Sequence, residues 1–320
     1  MKEMLAYLKK ADYSKVSLAV QKANYALKMY LNVGFEIADE NTEEYICIYD
    51  FQKERGQTML EIPQTIKQKV GSRPYHCDSV GMSDSQVLMF DDRVLKIETT
   101  REEADNEYRM MNWLSGKLPV PEVLAFAKEN GRNYLLMSRV EGKMLCDEAY
   151  MNKSKELIKL LAKGLKMLWS VDVKECPNHI GLKERLALAE RNVREGLVDM
   201  DNVEEDTFGE NGFKNPEELL NWLKENQPEE DLVLTHGDYC LPNVFGSEGK
   251  INGFIDLGKC GVADRYQDIA LCYRSLSHNC DGTYGGSVYT DVKPEMLFKE
   301  LGIEPDWEKI RYYILMDELF

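Results

Sequence analysis

Basic residues, histidine and paired cysteines are all scarce in this sequence. It has 40 Lys and Arg against 56 Asp and Glu, a formal net charge of −16. Because nucleic acids bind proteins mainly through Lys and Arg contacts to phosphate, this balance excludes nucleic acid as an expected partner. The four histidines have no metal-ligand spacing and the eight cysteines include no C-x-x-C pair. We therefore expect neither a zinc site nor a disulfide framework.

Long apolar runs are also missing. No stretch approaches the ~18–20 apolar residues that a membrane-spanning helix needs. The first residues lack the apolar segment of a secretory signal. No G-x-x-x-x-G-K-[ST] phosphate loop occurs either. The sequence thus predicts no membrane partner and a cytoplasmic location with reduced thiols.

The most informative segment that is present lies between residues 232 and 258. Asp238 is followed five positions later by Asn243, and Asp256 comes 13 positions after that Asn. The apolar runs 232–234 and 250–255 predict two short strands that bring these side chains together. One carboxylate would face an incoming hydroxyl, while an amide oxygen and a second carboxylate are ligands suited to Mg²⁺. The pattern predicts phosphoryl transfer to a small molecule.

Nearby acidic residues have a plainer interpretation. A His-Gly-Asp sequence on its own fits a strand-ending turn equally well. Asp264 and Asp268 are also potential magnesium ligands, but residues 265–271 have a helical pattern. We therefore expect Asp264 and Asp268 to be a helix cap and a buried structural acid.

A kinase also needs a cation for the nucleotide phosphates. Residues 94–97 predict a strand that carries Lys96, and a helix from about 101 to 114 carries Glu107, 11 residues further on. An ion pair between them would fix the ammonium group, although a lysine in a strand is more often a solvated edge residue. The Gly/Ser turn at 81–87 offers backbone N–H groups and hydroxyls to phosphate.

From about residue 61 to residue 320 the chain resembles the aminoglycoside phosphotransferases of the 3′ type, which are related to protein kinases by fold. The matching features are H-G-D-x-x-x-x-N at 236–243, I-D-L-G at 255–258, the Lys96/Glu107 pair, the segment 113–121 and the ending 306–320. The first two are shared with choline kinases. The acidic C-terminal ending is typical of the antibiotic-modifying branch.

The resemblance implies an α+β, bilobal protein-kinase-like fold. A β-rich N-lobe would occupy residues 57–137 and a mostly helical C-lobe residues 138–320. Apolar periodicity predicts helices at 156–169, 182–195, 217–224 and 307–317. The resemblance also implies Mg²⁺ and ATP as cofactors, with GTP left open, and an aminoglycoside as the acceptor, modified at its 3′-hydroxyl. The oligomeric state stays open.

The resemblance further implies a role for each matching residue. Asp238 would position the acceptor hydroxyl and deprotonate it late in the reaction, and His236 would orient the loop. The nucleotide-binding residues would be Ser83, Ser85, Lys96, Glu107, Ser138 and Val140, and the magnesium ligands would be Asn243 and Asp256. The aminoglycoside would be bound by Asp201, Glu204, Glu205, Lys259, Asp317, Glu318 and Phe320. The alternative for the acidic segment 199–206 is a solvated loop.

Several positions depart from the family pattern, and two of them bear on the choice of nucleotide and substrate. Val94 stands where a relative has an aromatic residue that stacks on adenine, so the choice between ATP and GTP stays open. His278 stands where the family has an acidic contact to the substrate. We therefore expect a substrate profile that differs from that of relatives carrying the acid.

The first part of the chain resembles a different family. Residues 14–51, with Asn24, Ala26, Tyr30 and Gly34-Phe35, resemble the C-terminal third of a GNAT acetyltransferase. That family's pyrophosphate-binding strand, turn and helix would have to precede Val16, where only 15 residues are available. We therefore expect residues 1–56 to form a small β-α-β appendage with no acetyl transfer of its own.

Two rival functions remain open at this stage. The first is a kinase of another small metabolite, such as a choline-like amine or a macrolide, because the magnesium and nucleotide residues serve any acceptor. The acidic C-terminus argues against a macrolide. The second is a non-catalytic drug-binding protein, against which the intact Asp238, Asn243, Asp256 and Lys96 argue.

Overall fold

The computed structural model forms two compact units, Met1–Phe90 and Asp91–Phe320. It describes residues 4–5, 7–8, 13–22, 30, 34–42, 44–50, 62–78, 85–200, 203–204, 206–209, 212–284 and 287–320. The domain boundaries expected at residues 56 and 137 stay predictions.

The first unit opens with a three-stranded antiparallel sheet. Its strands are β1 (Lys15–Gln21), β2 (Glu36–Glu40) and β3 (Glu44–Asp50), in the order β1-β3-β2. Val20, Phe35 and Cys47 are buried against Leu5 in a small core. The strands expected around 16–20 and 45–49 are present, whereas β2 was not expected. The helix expected between them falls mostly on residues 23–33, which, apart from Tyr30, lie outside the described residues.

The same unit continues with helix α1 (Gln64–Val70) and a hairpin of β4 (His76–Asp78) and β5 (Gln86–Met89). Ile66 is fully buried, and Val70 on the same helix is 5% exposed. The Gly/Ser turn was expected at 81–87, but Gln86 and Val87 belong to β5, and the segment between the two strands is 79–85. Its residues 79–84 lie outside the described part of the chain.

Among its described residues, the second unit contains three sets of antiparallel strands. In the first, β6 (Arg93–Thr99) pairs over its whole length with β8 (Arg132–Ser138), which pairs on its other side with β7 (Val123–Glu129). In the second, β11 (Val244–Ser247) lies between β9 (Lys143–Met144) and β12 (Lys250–Phe254). In the third, β10 (Leu232–Thr235) pairs with β13 (Gly261–Asp264).

Most of the second unit is helical. Its helices in the described residues are α2 (Glu102–Leu114), α3 (Glu148–Met151), α4 (Ser154–Trp169), α5 (Leu182–Glu195), α6 (Pro216–Glu225), α7 (Arg265–Asp281), α8 (Met296–Leu301) and α9 (Trp307–Asp317). Asp264, Asn215 and Asp306 cap α7, α6 and α9 by accepting hydrogen bonds from first-turn N–H groups. Helices α4, α5, α6 and α9 confirm the four helices predicted by periodicity, and α2 confirms the helix expected from about 101 to 114. None of the described helices is both long and apolar enough to cross a membrane.

Candidate active site

Lys96 is placed by the alternation of strand β6. Its neighbours Leu95 and Ile97 are 0% and 2% exposed and face the core. Because successive side chains of a strand point to opposite faces, Lys96 points away from that core. Its side chain is nevertheless only 14% exposed. It is therefore an enclosed cation and not the solvated edge residue of the alternative interpretation.

Lys96 forms ion pairs with three carboxylates. Its Nζ lies 2.7 Å from Glu107 Oε2, 2.9 Å from Asp256 Oδ1 and 3.7 Å from Glu98 Oε2. Burial alone lowers the pKa of Lys96, but these carboxylates more than offset it and raise that pKa overall. Burial also raises the pKa of Glu107, which is 1% exposed on α2. The expected Lys96/Glu107 pair is thus present and the lysine is charged.

Asp256 lies at the exit of strand β12, as predicted. Its backbone has φ 59° and ψ 58°, the left-handed region that non-glycine residues rarely adopt. One residue earlier, the N–H of Ile255 donates to the carbonyl of Asn243 at 3.0 Å, so the two expected magnesium ligands lie on adjacent backbone. Desolvation raises the pKa of Asp256, but Lys96 more than offsets it and the pKa is lowered overall. The carboxylate is therefore ionised.

Both carboxylate oxygens of Asp238 accept hydrogen bonds within the loop that carries it. Cys240 Sγ donates to Oδ1 at 3.0 Å, and Asn243 Nδ2 donates to Oδ2 at 2.9 Å. Just before Asp238, Gly237 has φ +85°, and a Cβ there would lie 2.0 Å from the carbonyl oxygen of Lys259. Only glycine fits this position, so the loop runs against the turn that follows Asp256.

Helix α7 anchors the loop that carries Asp238. Asp268 Oδ2 accepts the N–H of His236 at 2.6 Å, and its Oδ1 accepts the N–H of Gly237 at 2.9 Å. Gln267 Nε2 donates to the Gly237 carbonyl at 3.0 Å. Burial raises the pKa of Asp268 to about 6, although His236 and the two N–H groups oppose the rise. Asp268 is thus the buried structural acid that the sequence predicted.

Replacing Asp268 with Asn should loosen this anchor. Asparagine has one side-chain acceptor oxygen, so one of the two N–H groups would face an NH₂ group instead. We expect the free energy of unfolding to fall by about 1–3 kcal/mol, and kcat to fall because Asp238 directly follows the anchored residues. Urea denaturation and steady-state kinetics measure the two effects. Asp306→Asn, at a cap where Asn works as well as Asp, is the control; equal behaviour of both variants would contradict the anchoring role.

Three carboxylates gather around one arginine where α7 and the C-terminus meet. Arg274 pairs with Asp317, with Glu318 at 3.2 Å and with Glu204 at 3.8 Å. His278 Nε2, one helical turn further along α7, lies 3.3 Å from Glu204 Oε2. Three of the residues expected to bind an aminoglycoside are therefore brought together. Arg274 was not among the residues predicted from the sequence.

The C-terminus is docked and not frayed. Leu319 is fully buried, and the ring of Phe320 lies 5.7 Å from Lys259 Nζ. Burial lowers the pKa of Lys259, but Asp317 and Asp238 more than offset it and raise that pKa overall. Lys259 is thus a charged residue close to both Asp238 and the C-terminal group.

The segment expected to bind adenine follows strand β8. The N–H of Ser138 donates to the Glu122 carbonyl at 2.9 Å, and Ser138 Oγ accepts the N–H of Glu122 at 2.8 Å. The N–H of Ser138 is therefore committed within the protein, and the expected contact of Ser138 and Val140 with adenine stays a prediction. Val140 packs against Gly253, where an added Cβ would lie 2.6 Å from its Cγ1.

The remaining expected site residues divide into two groups. Ser85 is half-buried and immediately precedes β5 in the first unit, whereas the residues above belong to the second. The others, Ser83, Asp201 and Glu205, lie outside the described residues.

Comparison with known proteins decides the family. Residues 79–292 match the model of the phosphotransferase enzyme family. An aminoglycoside 3′-phosphotransferase of Enterococcus faecalis is 41% identical over 261 residues, which cover 77% of this chain and 94% of the relative. The chain belongs to the aminoglycoside phosphotransferase family.

Solved structures of this family share the fold. A crystal structure of an aminoglycoside 3′-phosphotransferase of type VIII superposes with a TM-score of 0.68 at 26% identity, covering 80% of this chain and 98% of that one. The aminoglycoside phosphotransferase APH(3′′)-Id of Streptomyces rimosus, in complex with ADP and streptomycin, gives 0.65 at 25% identity and covers 80% and 96%. The expected α+β, protein-kinase-like fold is confirmed. The acetyltransferase resemblance of residues 14–51 stays a prediction.

Proposed function

We propose that this aminoglycoside phosphotransferase transfers the γ-phosphoryl group of ATP to the 3′-hydroxyl of an aminoglycoside, in the cytoplasm and with Mg²⁺. The observation that carries the proposal is the convergence of two sets of residues in the second unit. Lys96, held by Glu107, reaches Asp256 at 2.9 Å, and Asn243, bonded to Asp238 at 2.9 Å, shares adjacent backbone with Asp256. A cation for phosphate, oxygen ligands for a metal and a carboxylate for a hydroxyl are thereby assembled.

The residues present fit a magnesium site. Asp256 supplies an ionised carboxylate whose side chain is 51% exposed. Asn243 uses its Nδ2 to bond Asp238, which leaves its amide oxygen as the ligand atom. Mg²⁺ is usually held by one or two protein oxygens together with phosphates and water, which matches this small set. Asp256 and Asn243 would hold the metal, and when bound it would neutralise charge on the phosphate oxygens.

Asp238 would receive the acceptor proton. Phosphoryl transfer depends mostly on positioning and on charge stabilisation, so this carboxylate's main task is to orient the 3′-hydroxyl. As the new phosphorus–oxygen bond forms, the hydroxyl proton passes to Asp238 and the bond to the leaving ADP oxygen breaks. The hydrogen bonds from Cys240 and Asn243 fix the carboxylate in one orientation. Lys96, through the α and β phosphates, would stabilise the leaving group.

The acceptor class follows from the charge around Arg274. Glu204, Asp317 and Glu318 place three carboxylates around the Arg274 guanidinium, and the cations of Lys259 and Arg185 also act on Asp317. An acidic recess attracts a polycationic ligand and pairs with its ammonium groups. We propose that the amines of an aminoglycoside bind these carboxylates, with Lys259 and Phe320 completing the surface and Asp201 and Glu205 contributing from the acidic segment.

The pH dependence of binding tests the part played by Glu318. Burial raises the pKa of Glu318 to about 7, with Arg274 opposing the rise. An ammonium ligand favours the ionised carboxylate, so the contribution of Glu318 to kanamycin affinity should increase as the pH rises through about 7 and decrease below it. Calorimetry on both sides of that pH, with wild type and Glu318→Gln, measures this. The amines of the drug titrate equally in both proteins, so identical pH profiles would contradict the assignment.

Product analysis tests the regiochemistry. After incubation with kanamycin, ATP and Mg²⁺, the phosphorus nucleus of the product should couple to the proton on the 3′ carbon in a two-dimensional NMR spectrum. Coupling to a proton at another ring position would keep the phosphotransferase proposal and overturn the 3′ assignment. Parallel reactions with GTP determine the nucleotide preference that Val94 leaves open.

A further inference from the structure

The Asn106 side chain joins helix α2 to the turn that follows Asp256. Its Nδ2 donates to the carbonyl oxygens of Gly258 and Cys260, both at 2.9 Å. Asn106 is 3% exposed, and its hydrogen bond to Cys260 is buried while that to Gly258 is partly buried. The two acceptors flank Lys259 in the chain. One amide group therefore holds the segment between the expected metal ligand and strand β13.

The orientation of this amide is determined by its partners. With oxygen and nitrogen exchanged, the amide oxygen would face two carbonyl oxygens, which repel it. In the orientation present, Oδ1 instead accepts from Arg109 Nη2 at 3.4 Å. Three polar groups thus specify one arrangement of Asn106.

Helix α2 consequently holds both halves of the candidate nucleotide site. Glu107, the residue next to Asn106, bonds Lys96 at 2.7 Å. Neighbouring helical residues project about 100° apart, so one helix can reach Lys96 with one side chain and the turn with the next. Gly258 lies against the same helix, where an added Cβ would lie 3.3 Å from the Glu103 carbonyl oxygen.

The turn needs such support because Asp256 has a strained backbone. Its φ of 59° belongs to the left-handed region. A non-glycine residue keeps such a conformation only where its surroundings hold it there. A shift of the turn would move Asp256 and Lys259 together relative to Lys96.

We infer that Asn106 is a positioning residue for the nucleotide and metal site, setting the place of Asp256 and Lys259 relative to the Lys96/Glu107 pair. The inference rests on the function proposed above for this site. Asn106 touches no substrate; it acts through the turn that it holds. Loss of its two hydrogen bonds should leave the helix packed and the turn displaced.

Asn178 provides a matched control. Its Nδ2 donates to the same Cys260 carbonyl, at 2.8 Å, but it lies between α4 and α5 and has no bond to Gly258. Asn106→Ala and Asn178→Ala therefore each remove one hydrogen-bond donor from that carbonyl. Only Asn106→Ala also removes the hydrogen bonds that join α2 to the turn. Calorimetric titration of the full chain with ADP and Mg²⁺ compares them. Asn106→Ala should bind about 10- to 100-fold more weakly, as is typical when a residue supporting a metal ligand is lost.

Two further results decide between positioning and general destabilisation. Amide hydrogen exchange at 256–260 should accelerate in ligand-free Asn106→Ala, while Asn178→Ala binds ADP and Mg²⁺ as wild type does. Equal losses in the two variants, or wild-type binding by Asn106→Ala, would overturn the inference. If Asn106→Ala does not fold, Asn106→Ser, which keeps a single donor, undergoes the same comparison. A wild type that binds ADP and Mg²⁺ but phosphorylates no acceptor would overturn the proposed function alone.

Discussion

Asp238→Asn should lower kcat for kanamycin phosphorylation by about 10²- to 10⁴-fold, the range for losing a general base. The amide keeps the shape of the carboxylate and can still accept a hydrogen bond from Asn243 or Cys240. The neutral amide can neither accept the hydroxyl proton nor stabilise that proton electrostatically. Kanamycin affinity should therefore change little. Steady-state kinetics with a coupled ADP assay and calorimetric titration measure the two quantities.

Cys240→Ala is the control for this result. It removes the donor to Asp238 Oδ1, at 3.0 Å, and leaves the carboxylate in place. We expect kcat to fall much less than in Asp238→Asn, because Asn243 still orients the other oxygen. Turnover by Asp238→Asn within about tenfold of wild type would show that the carboxylate is not the base.

Lys96→Met should affect stability and nucleotide binding together. The substitution leaves Glu107, which is 1% exposed, without its nearest cation. Removing one partner of a buried ion pair costs about 3–5 kcal/mol of unfolding free energy. Because burial raises the pKa of Glu107, protonation would relieve part of this cost, so the variant should recover stability as the pH falls. Urea denaturation at two pH values measures the effect.

The double variant Lys96→Met/Glu107→Gln separates the two roles. Removing both charges should restore much of the lost stability, because Glu107, the most buried of the three carboxylates around Lys96, is then replaced by a neutral amide. It should not restore binding of ATP with Mg²⁺, which needs the ammonium group. A double variant that is as unstable as Lys96→Met would show that Glu107 is not the source of the cost. Recovery of nucleotide binding would contradict the role of Lys96.

The chemistry near Asp238 could be predicted because it is local in sequence. Asp238, Asn243 and Asp256 are separated only by a turn and two short strands, and the apolar runs that flank them determine how they meet. Glu107 could be paired with Lys96 because the helix follows the strand directly. Strong apolar periodicity likewise predicted α4 and α5. In each case neighbouring residues carry the information.

The features that escaped prediction depend on distant packing or weak patterns. Arg274 meets Asp317 and Glu318 only because α7 packs near the C-terminus, and nothing in a lone helical arginine indicates that. Strand β2 is exposed throughout and acidic, so it has no apolar alternation to read. Asn106 resembles any polar helical residue in the sequence. Its importance depends on two carbonyl groups 152 and 154 residues away.

The most direct test of the central claim is a nucleotide-consumption assay with four separate acceptors. Kanamycin, neomycin, choline and a macrolide would each be incubated with ATP and the full chain, with and without Mg²⁺. We expect turnover on kanamycin and neomycin alone, and only when Mg²⁺ is present. Turnover on choline or the macrolide would contradict the proposed acceptor class. No turnover on any of the four acceptors, with kanamycin still bound, would contradict catalysis and favour a non-catalytic drug-binding protein.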